Sequence, residues 1–348
     1  MRKLVTVRTV VSIKPIEGAD NIVCATVDGW DVVVRKDEFN TGDKGVYFEI
    51  DSFLPADDAR FEPFKKNETT WNNMKGIRIK TVKLRGQISQ GLLLPLSLFP
   101  EINPEEEQDL TELLKVVKWE FSPPHEHCTL YHRKRCSKRW GNFPTFIPKT
   151  DQERIQNCKE VLRNKKEEQF EVTIKLDGSS LTVFHRDGEI GICSRNIWLE
   201  ESEESNDFVI MANEQNIPNA LKDLGRNLAV QGEMIGPKIQ CNPEKITKLD
   251  YYVFDIYDID KESYLGYEER QEIISKINER GGKIKHVPVV EITTLEKFEE
   301  DIRKILHYAE GPSLNPNTKR EGVVFKHTQG KYSFKCISNS YLLKNSNR

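Results

Sequence analysis

The sequence contains no apolar run of membrane-spanning length, and no signal-peptide core follows Met1. It also has no regular cysteine framework, because its seven cysteines are odd in number and scattered, as is typical of reduced thiols. Neither charge dominates, since the formal net charge is −3 and the pI is near 6.2. We therefore expect a cytoplasmic protein, or one of the nucleus or an organelle, that binds polyanions only through local basic surfaces.

The chain of 348 residues is long enough for two domains, each with its own core. In the first third, short alternating runs at residues 5–13, 22–27 and 30–34 are separated by turn signals such as Asp28-Gly29. No convincing helix pattern lies between these runs. This part of the sequence predicts a small antiparallel β-barrel.

Residues 75–85 are the most basic of the predicted strands, with five cations and no acid. The apolar positions change parity around Thr81, so we expect a β-bulge that keeps the cations on one face. Such a surface is suited to nucleic-acid phosphates, although an edge strand exposed to solvent has the same composition. The predicted nucleic-acid contacts on this strand are Arg78, Lys80, Lys83 and Arg85.

A basic segment follows at residues 121–148, with three histidines and two cysteines between residues 125 and 136. Their spacing matches no paired Cys-x-x-Cys pattern, so a structural zinc site remains only an alternative. We favour a linker in which Arg133, Lys134 and Arg135 contact a nucleic-acid backbone.

The central pattern is the decapeptide from Glu171 to Ser180, which predicts a strand ending in a turn at Asp177-Gly178. Its period of two places Lys175 and Asp177 side by side on one face. A surface hairpin with a solvated lysine explains this short pattern equally well. The residues that follow favour a site. Arg195 emerges after a second predicted hairpin, where it could bind a phosphate or be a turn cation. Further on, charged side chains recur in or at the ends of strands that are otherwise apolar: Glu233, Asp255, Glu321, Lys326 and Lys335.

Three helices are predicted around these strands. The first begins in residues 149–157, with Thr150 or Asp151 as its cap. The second covers about residues 267–280 and is stopped by two glycines, and the third covers about residues 295–309. We interpret the latter two as scaffold.

Two resemblances extend this interpretation. The segments Gly18-Ala-Asp-Asn-Ile22, Gly29-Trp-Asp-Val-Val33 and Asp51-Ser-Phe-Leu-Pro55 resemble the amino-terminal OB-fold module of the Naegleria-like RNA ligases. From residue 149 onward, the ordered Lys-x-Asp-Gly, Ser-Arg-Asn, Gly-Glu, Phe-Asp-Ile, Glu-Gly-Val-Val and buried lysine resemble the motifs of covalent nucleotidyltransferases, which include ATP-dependent RNA and DNA ligases and capping enzymes. Many relatives have a second lysine in the last motif, so here that cation has to be Lys326 or Lys331.

The resemblance implies an α+β protein with an OB-type β-barrel that binds RNA (residues 1–120) and a basic linker (residues 121–148). A nucleotidyltransferase (ATP-grasp-like ligase) domain of antiparallel sheets with flanking helices would follow (residues 149–348). The implied function is an ATP-dependent RNA ligase, a monomer without membrane contacts, that seals 3′-OH and 5′-phosphate RNA ends, at nicks in duplex RNA, through lysyl-AMP and RNA-adenylate. The alternatives are a DNA or broad-specificity polynucleotide ligase, and a non-catalytic RNA-binding protein with the same fold.

The same resemblance implies residue roles. Lys175 is the nucleophile, and its pKa has to be lowered by the nearby Lys335 and a metal ion. The implied catalytic residues are Lys175, Arg154, Arg195, Glu233, Glu321 and Lys335. ATP is bound by Lys175, Arg154, Arg195, Glu233, Phe254, Lys326 and Lys335, with Phe254 stacking on the purine. Mg²⁺ or Mn²⁺ is held, mostly through water, by Asp177, Glu233, Asp255 and Glu321.

Overall fold

The computed structural model describes residues 3–103, 105, 108–120, 139–200 and 206–345. The chain divides into two compact units, Met1–Ser122 with Leu342–Arg348, and Pro123–Tyr341. Each unit has its own sheets and cores. Within the described residues, no helix has the length and apolar character needed to span a bilayer.

The first unit is built from short strands, as the alternating pattern predicted. They are β1 (Val5–Pro15), β2 (Ile22–Val27), β3 (Trp30–Arg35), β4 (Lys44–Phe48), β5 (Ser52–Pro55), β6 (Glu68–Trp71), β7 (Met74–Arg78), β8 (Thr81–Leu84), β9 (Gln87–Gln90), β10 (Leu92–Pro95) and β11 (Val117–Lys118). The strand orders are β10-β4-β1-β2-β3 and β11-β5-β7-β6, with β8 paired to β9. The predicted hairpin at Asp28 is confirmed, and that residue adopts a left-handed φ of 50°.

The basic stretch at residues 75–85 is not one bulged strand, so that prediction is wrong. β7 ends at Arg78 and pairs with β5 and β6, whereas β8 begins at Thr81 and turns to pair with β9. The chain therefore changes sheets at the position where its apolar parity changes. Val82 and Leu84 remain 39% and 43% exposed, because β8 and β9 form a hairpin of their own.

The second unit contains two larger sheets. Their strands are β12 (Arg139–Asn142), β13 (Glu153–Arg154), β14 (Phe170–Lys175), β15 (Ser179–Arg186), β16 (Glu189–Ser194), β17 (Ile197–Leu199), β18 (Leu228–Ile235), β19 (Asp250–Asp258), β20 (Ser263–Tyr264), β21 (Lys285–His286), β22 (Val289–Thr293), β23 (Gly322–His327) and β24 (Ser333–Ile337). One sheet has the order β12-β17-β16-β15-β18-β19-β20, with β21 also paired to β19. The other has the order β13-β24-β23-β14-β22.

Helices flank these sheets. They are α1 (Val161–Asn164), α2 (Asp207–Glu214), α3 (Ile217–Leu224), α4 (Tyr267–Glu279) and α5 (Ile302–Tyr308). The last helix, α6 (Asn339–Asn345), begins in the second unit and ends in residues assigned to the first. The predicted helix near residues 267–280 is confirmed as α4, and Gly281 follows it with a φ of 82°.

Two helix predictions are wrong. In residues 149–157 the structure has β13 and a short 3₁₀ turn, because Glu153 and Arg154 pair in parallel with β24. The predicted helix at residues 295–309 is interrupted, since Glu299 and Glu300 adopt left-handed φ values of 51° and 58°. A new helix, α5, then starts after Asp301, whose carboxylate accepts a hydrogen bond from the Arg303 amide.

Strand β14 has two chemically different faces. Phe170 and Val172 are fully buried and pack with aromatic residues of β23 and β24, including the stacked rings of Phe325 and Phe334. The alternate residues, among them Lys175, lie on the opposite face. One strand therefore supports both the core of this sheet and the predicted site.

Candidate active site

A cavity of about 430 Å³ lies over the opposite face of β14. Its walls come from both sheets of the second unit. Six of the predicted residues line it: Lys175, Arg195, Glu233, Phe254, Lys326 and Lys335. The remaining wall is mixed: Ile174, Leu176, Val287 and Val324 contribute apolar side chains, and several serines, threonines and amides contribute polar ones.

The register of the sheet sets the order of groups along the cavity floor. Lys175 pairs with Gly322, and Glu171 pairs with Lys326 at the other end of β14. Val324, between them on β23, pairs with Lys335. Position 322 requires glycine, because the two strands approach closely there: a Cβ on Gly322 would lie 2.1 Å from the Cys336 carbonyl oxygen.

Lys175 is surrounded by carboxylates. Its Nζ lies 2.7 Å from Glu321 Oε2, and a quarter of the side chain (25%) remains exposed. Burial alone would lower the pKa of Lys175, but the negative charges of Glu321, Glu233 and Asp177 outweigh burial and raise that pKa. The lowered pKa that the sequence analysis requires is therefore not produced by the side chains around this amine.

Glu233 is held next to the turn after β14. Its Oε1 accepts a hydrogen bond of 3.0 Å from the Gly178 amide. Burial, reinforced by the charges of Glu321 and Asp177, raises the pKa of Glu233 to about 8, although Lys175 opposes this shift. The concentration of negative charge in this part of the site is thus high enough to favour a proton or another cation.

The two predicted arginines occupy different settings. Arg195 is 45% exposed on the cavity wall, and its guanidinium forms a two-oxygen contact with Asp151 at 2.9 and 3.0 Å. Arg154 does not line the cavity; it is only 6% exposed and lies beside Lys335 through the pairing of β13 with β24.

At the other end of the cavity floor, Lys326 is buried with a carboxylate. Its Nζ lies 2.6 Å from Asp255 Oδ2 and donates to the Phe254 carbonyl oxygen. Burial lowers the pKa of Lys326, while the charge of Asp255 opposes that effect. Behind this pair, Arg270 lies 3.8 Å from Asp255 Oδ1 and makes a close ion pair with Glu171.

The fit of a divalent metal can be judged from the carboxylates. Among the described residues, no group of three or more His, Cys, Asp or Glu side chains is arranged to hold a metal ion directly. Asp177, Glu233 and Glu321 nevertheless act together on Lys175, and the raised pKa of Glu233 marks an excess of negative charge. These three residues fit a hydrated hard cation, whereas both oxygens of Asp255 face buried cations.

The basic residues predicted to contact RNA differ in accessibility. Lys80, Lys83 and Arg85 are exposed on the first unit. Arg78 is only 10% exposed; it pairs with Asp51 at 3.1 Å, and its guanidinium lies 3.3 Å from the ring centre of Trp119. Arg133, Lys134, Arg135 and the possible zinc cluster at residues 125–136 lie outside the described residues.

Several contact residues were missed in the sequence. Tyr341 donates a hydrogen bond of 2.7 Å to Asp177 Oδ2, and nothing in its sequence context indicates this. Asp151, interpreted as a helix cap, instead pairs with Arg195. Arg270 carried a usable signal, because it lies on the same helical face as the buried Ile274 and Ile277.

Comparisons with known proteins agree with this architecture. A family model described as an OB-fold domain matches residues 4–96, and one described as RNA ligase matches residues 168–339. No curated protein sequence matches the chain. Solved structures of Naegleria gruberi RNA ligase are similar over the whole chain at 46% identity: an apo mutant form (TM-score 0.92, covering 100% of this chain and 99% of that chain), a mutant form with AMP and Mn (0.92, 100% and 100%), and a form with PPi (0.91, 100% and 100%).

The fold and site thus define an enzyme with an amino-terminal OB-fold domain and a nucleotidyltransferase-type domain of sheets with flanking helices. The chain belongs to the RNA ligase family. The predicted family, α+β fold class and enzyme class are confirmed.

Proposed function

We propose that this RNA ligase uses ATP and a divalent metal to join RNA ends through a covalent lysyl-AMP intermediate. ATP, AMP, PPi and Mn are present in structures of the Naegleria relative. The observation that carries the proposal is the position of Lys175, whose Nζ contacts Glu321 at 2.7 Å on a cavity that Lys335 and Arg195 also line. A nucleophile, acids and phosphate-binding cations therefore meet in one place.

In the first step, Lys175 Nζ attacks the α-phosphorus of ATP. A nitrogen–phosphorus bond forms, the bond from the α-phosphorus to the bridging oxygen breaks, and pyrophosphate leaves with that electron pair. The amine must first lose a proton, and Glu321 Oε2 is the base in hydrogen-bond contact with it. Lys335, which lines the cavity, is the cation proposed to stabilise the phosphate charge, and Arg154, its neighbour on β13, is proposed to add positive charge from outside the cavity.

The carboxylates around Lys175 explain why a metal is needed. They raise the pKa of the amine, so the neutral nucleophile is disfavoured until further positive charge enters the site. A divalent cation near Asp177, Glu233 and Glu321 would supply that charge and neutralise the departing phosphate. Asp255 was also predicted as a ligand, but its contacts with Lys326 and Arg270 favour the different role argued below.

The later steps transfer AMP to a 5′-phosphate of RNA and then release AMP when a 3′-OH attacks. Nicked duplex RNA is the proposed substrate, because both ends are then held at a fixed separation. Arg195 is a suitable phosphate ligand, since its guanidinium is already arranged for a two-oxygen contact and is 45% exposed. Lys80, Lys83 and Arg85 are proposed to bind RNA phosphates on the OB-fold domain.

Incubation with labelled ATP and Mg²⁺ or Mn²⁺ tests the proposal directly. We expect a covalent AMP adduct that is acid-labile, as a phosphoramidate is, and that Lys175→Met abolishes while the protein remains folded. Lys276→Met, on the exposed face of α4, is the control and should retain the label. A label that persists in Lys175→Met would refute the assignment of the nucleophile.

Substrate choice is tested with nicked duplexes that carry RNA or DNA on each side of the break. We expect sealing when the 3′-OH strand is RNA and little sealing of an all-DNA nick. Equal sealing of both duplexes would instead identify a broad-specificity polynucleotide ligase.

A further inference from the structure

The buried charges behind Lys326 form a balanced set. Lys326 and Asp255 are 4% and 7% exposed, and Arg270 and Glu171 are each 1% exposed. Two cations and two carboxylates cancel, so this end of the cavity offers no net positive charge to a polyphosphate. Burying four charges is costly, and a role of this group in positioning a side chain at the cavity would account for it.

Lys326 is also distant from Lys175, where the α-phosphate of ATP would bind. It lies four residues from Gly322 along β23, and Gly322 pairs with Lys175. At about 3.3 Å per residue, the two backbone positions are roughly 13 Å apart. This separation is comparable to the span of a nucleoside monophosphate, so a nucleotide with its α-phosphorus at Lys175 would bring its base toward Lys326.

The surroundings of Lys326 suit a flat, mostly apolar ring. Phe254, Val287 and Val324 line the cavity there, and the Phe254 ring centre is 5.3 Å from Lys326 Nζ. An ammonium has three hydrogens and no acceptor. The described acceptors of Lys326 are Asp255 Oδ2 and the Phe254 carbonyl oxygen, which leaves the geometry open to one further acceptor from a ligand in the cavity.

We infer that Lys326 donates a hydrogen bond to a ring nitrogen of the purine of ATP, and that Asp255, Arg270 and Glu171 position its ammonium for that contact. The inference rests on the proposed use of ATP at this site. It makes Lys326 a determinant of base recognition and not the second phosphate-binding cation, and it makes Asp255 a positioning residue. The donor-only character of lysine matters here, because adenine N1 accepts a hydrogen bond whereas guanine carries a hydrogen at N1.

The test combines protein variants with nucleotide analogues that lack one ring acceptor. The rate of lysyl-AMP formation is measured with ATP and with 1-deaza-, 3-deaza- and 7-deaza-ATP, for the unmodified enzyme, Lys326→Met and the control Lys276→Met. For the unmodified enzyme and the control, we expect one analogue to react about 10- to 100-fold more slowly than ATP, as the loss of one charge-assisted hydrogen bond implies. For Lys326→Met, ATP and that same analogue should react at equal rates.

A second readout uses equilibrium binding in a Lys175→Met background, which removes the chemical step. The difference in affinity between ATP and the sensitive analogue should likewise disappear in Lys326→Met. Asp255→Asn should reduce the ratio of the affinity for ATP to the affinity for the sensitive analogue. If Asp255 contributed only to folding, that ratio would be unchanged. If Lys326→Met fails to fold, Lys326→Met with Asp255→Asn removes both charges and permits the same comparison.

The outcomes separate the two proposals. Equal reaction of all three analogues with the unmodified enzyme, or undiminished discrimination in Lys326→Met, overturns the inference while leaving lysyl-AMP formation intact. The absence of any covalent AMP in the unmodified enzyme would overturn the proposed function itself.

Discussion

Removal of the Arg270 guanidinium should strongly destabilise the second unit. Arg270 is 1% exposed and is held by Glu171, by the Leu265 carbonyl oxygen at 3.2 Å and by His286 Nε2 at 3.2 Å. In Arg270→Met, the equally buried carboxylate of Glu171 loses its principal partner. An uncompensated charge of this kind costs about 3–5 kcal/mol in the free energy of unfolding.

For a unit of this size, that cost lowers the melting temperature by roughly 6–20 °C. Scanning calorimetry measures this melting temperature directly. The control is Lys276→Met on the same helix, which breaks an exposed pair with Glu272 (41% and 61% exposed) and should cost no more than about 0.5 kcal/mol. Arg270→Met combined with Glu171→Met removes both charges and should recover most of the loss.

A penalty for Arg270→Met no larger than that of Lys276→Met, or no recovery in the double variant with Glu171→Met, would refute the account of Arg270 as the partner of a buried charge.

Three further predictions concern other parts of the chain. Burial and two nearby cations lower the pKa of His286 to about 3. As the pH falls, the unfolded chain therefore takes up the proton first, and about 2 kcal/mol of folding stability is lost by pH 5. His286→Gln should remove this loss, so its melting temperature should change little between pH 7 and pH 5. Tyr341→Phe removes the hydrogen bond to Asp177 and should slow adenylation of Lys175 about tenfold at an unchanged melting temperature. An unchanged rate would contradict a role of Tyr341 in positioning the Asp177 carboxylate. Replacing Lys83 and Arg85 by glutamine should reduce the slope of log RNA affinity against log salt by about 1.5, and an identical slope would exclude both from phosphate contact.

The parts of the fold that local patterns control were predictable. The Asp28 turn closes a hairpin as its Asp-Gly pair indicated, because Asp28 adopts the left-handed conformation with a φ of 50°. A buried charge needs a partner whatever the fold, so charged residues in apolar strands were reasonable candidates for a shared site. Lys175, Glu233 and Lys335 are brought to one cavity on that principle.

Features controlled by distant pairing were not predictable. The segment around Arg154 has a helical pattern, but its pairing with β24, far along the chain, makes it a strand. Tyr341 lies 164 residues from Asp177, and no local signal joins them. The partner of Asp255 was likewise open, because a carboxylate in an apolar strand can be satisfied by a metal or by a buried lysine, and only the assembled sheets bring Lys326 to it.

The two faces of β14 have a consequence for mutational tolerance. Phe170 and Val172 anchor the aromatic layer, while Lys175 is carried by the same few residues of backbone. A smaller side chain in that layer would let the strand shift by a fraction of an ångström. The protein would still fold, but the Lys175 amine would no longer be aligned for in-line attack on the phosphorus. A library of variants in this layer should therefore contain many that fold but few that still ligate.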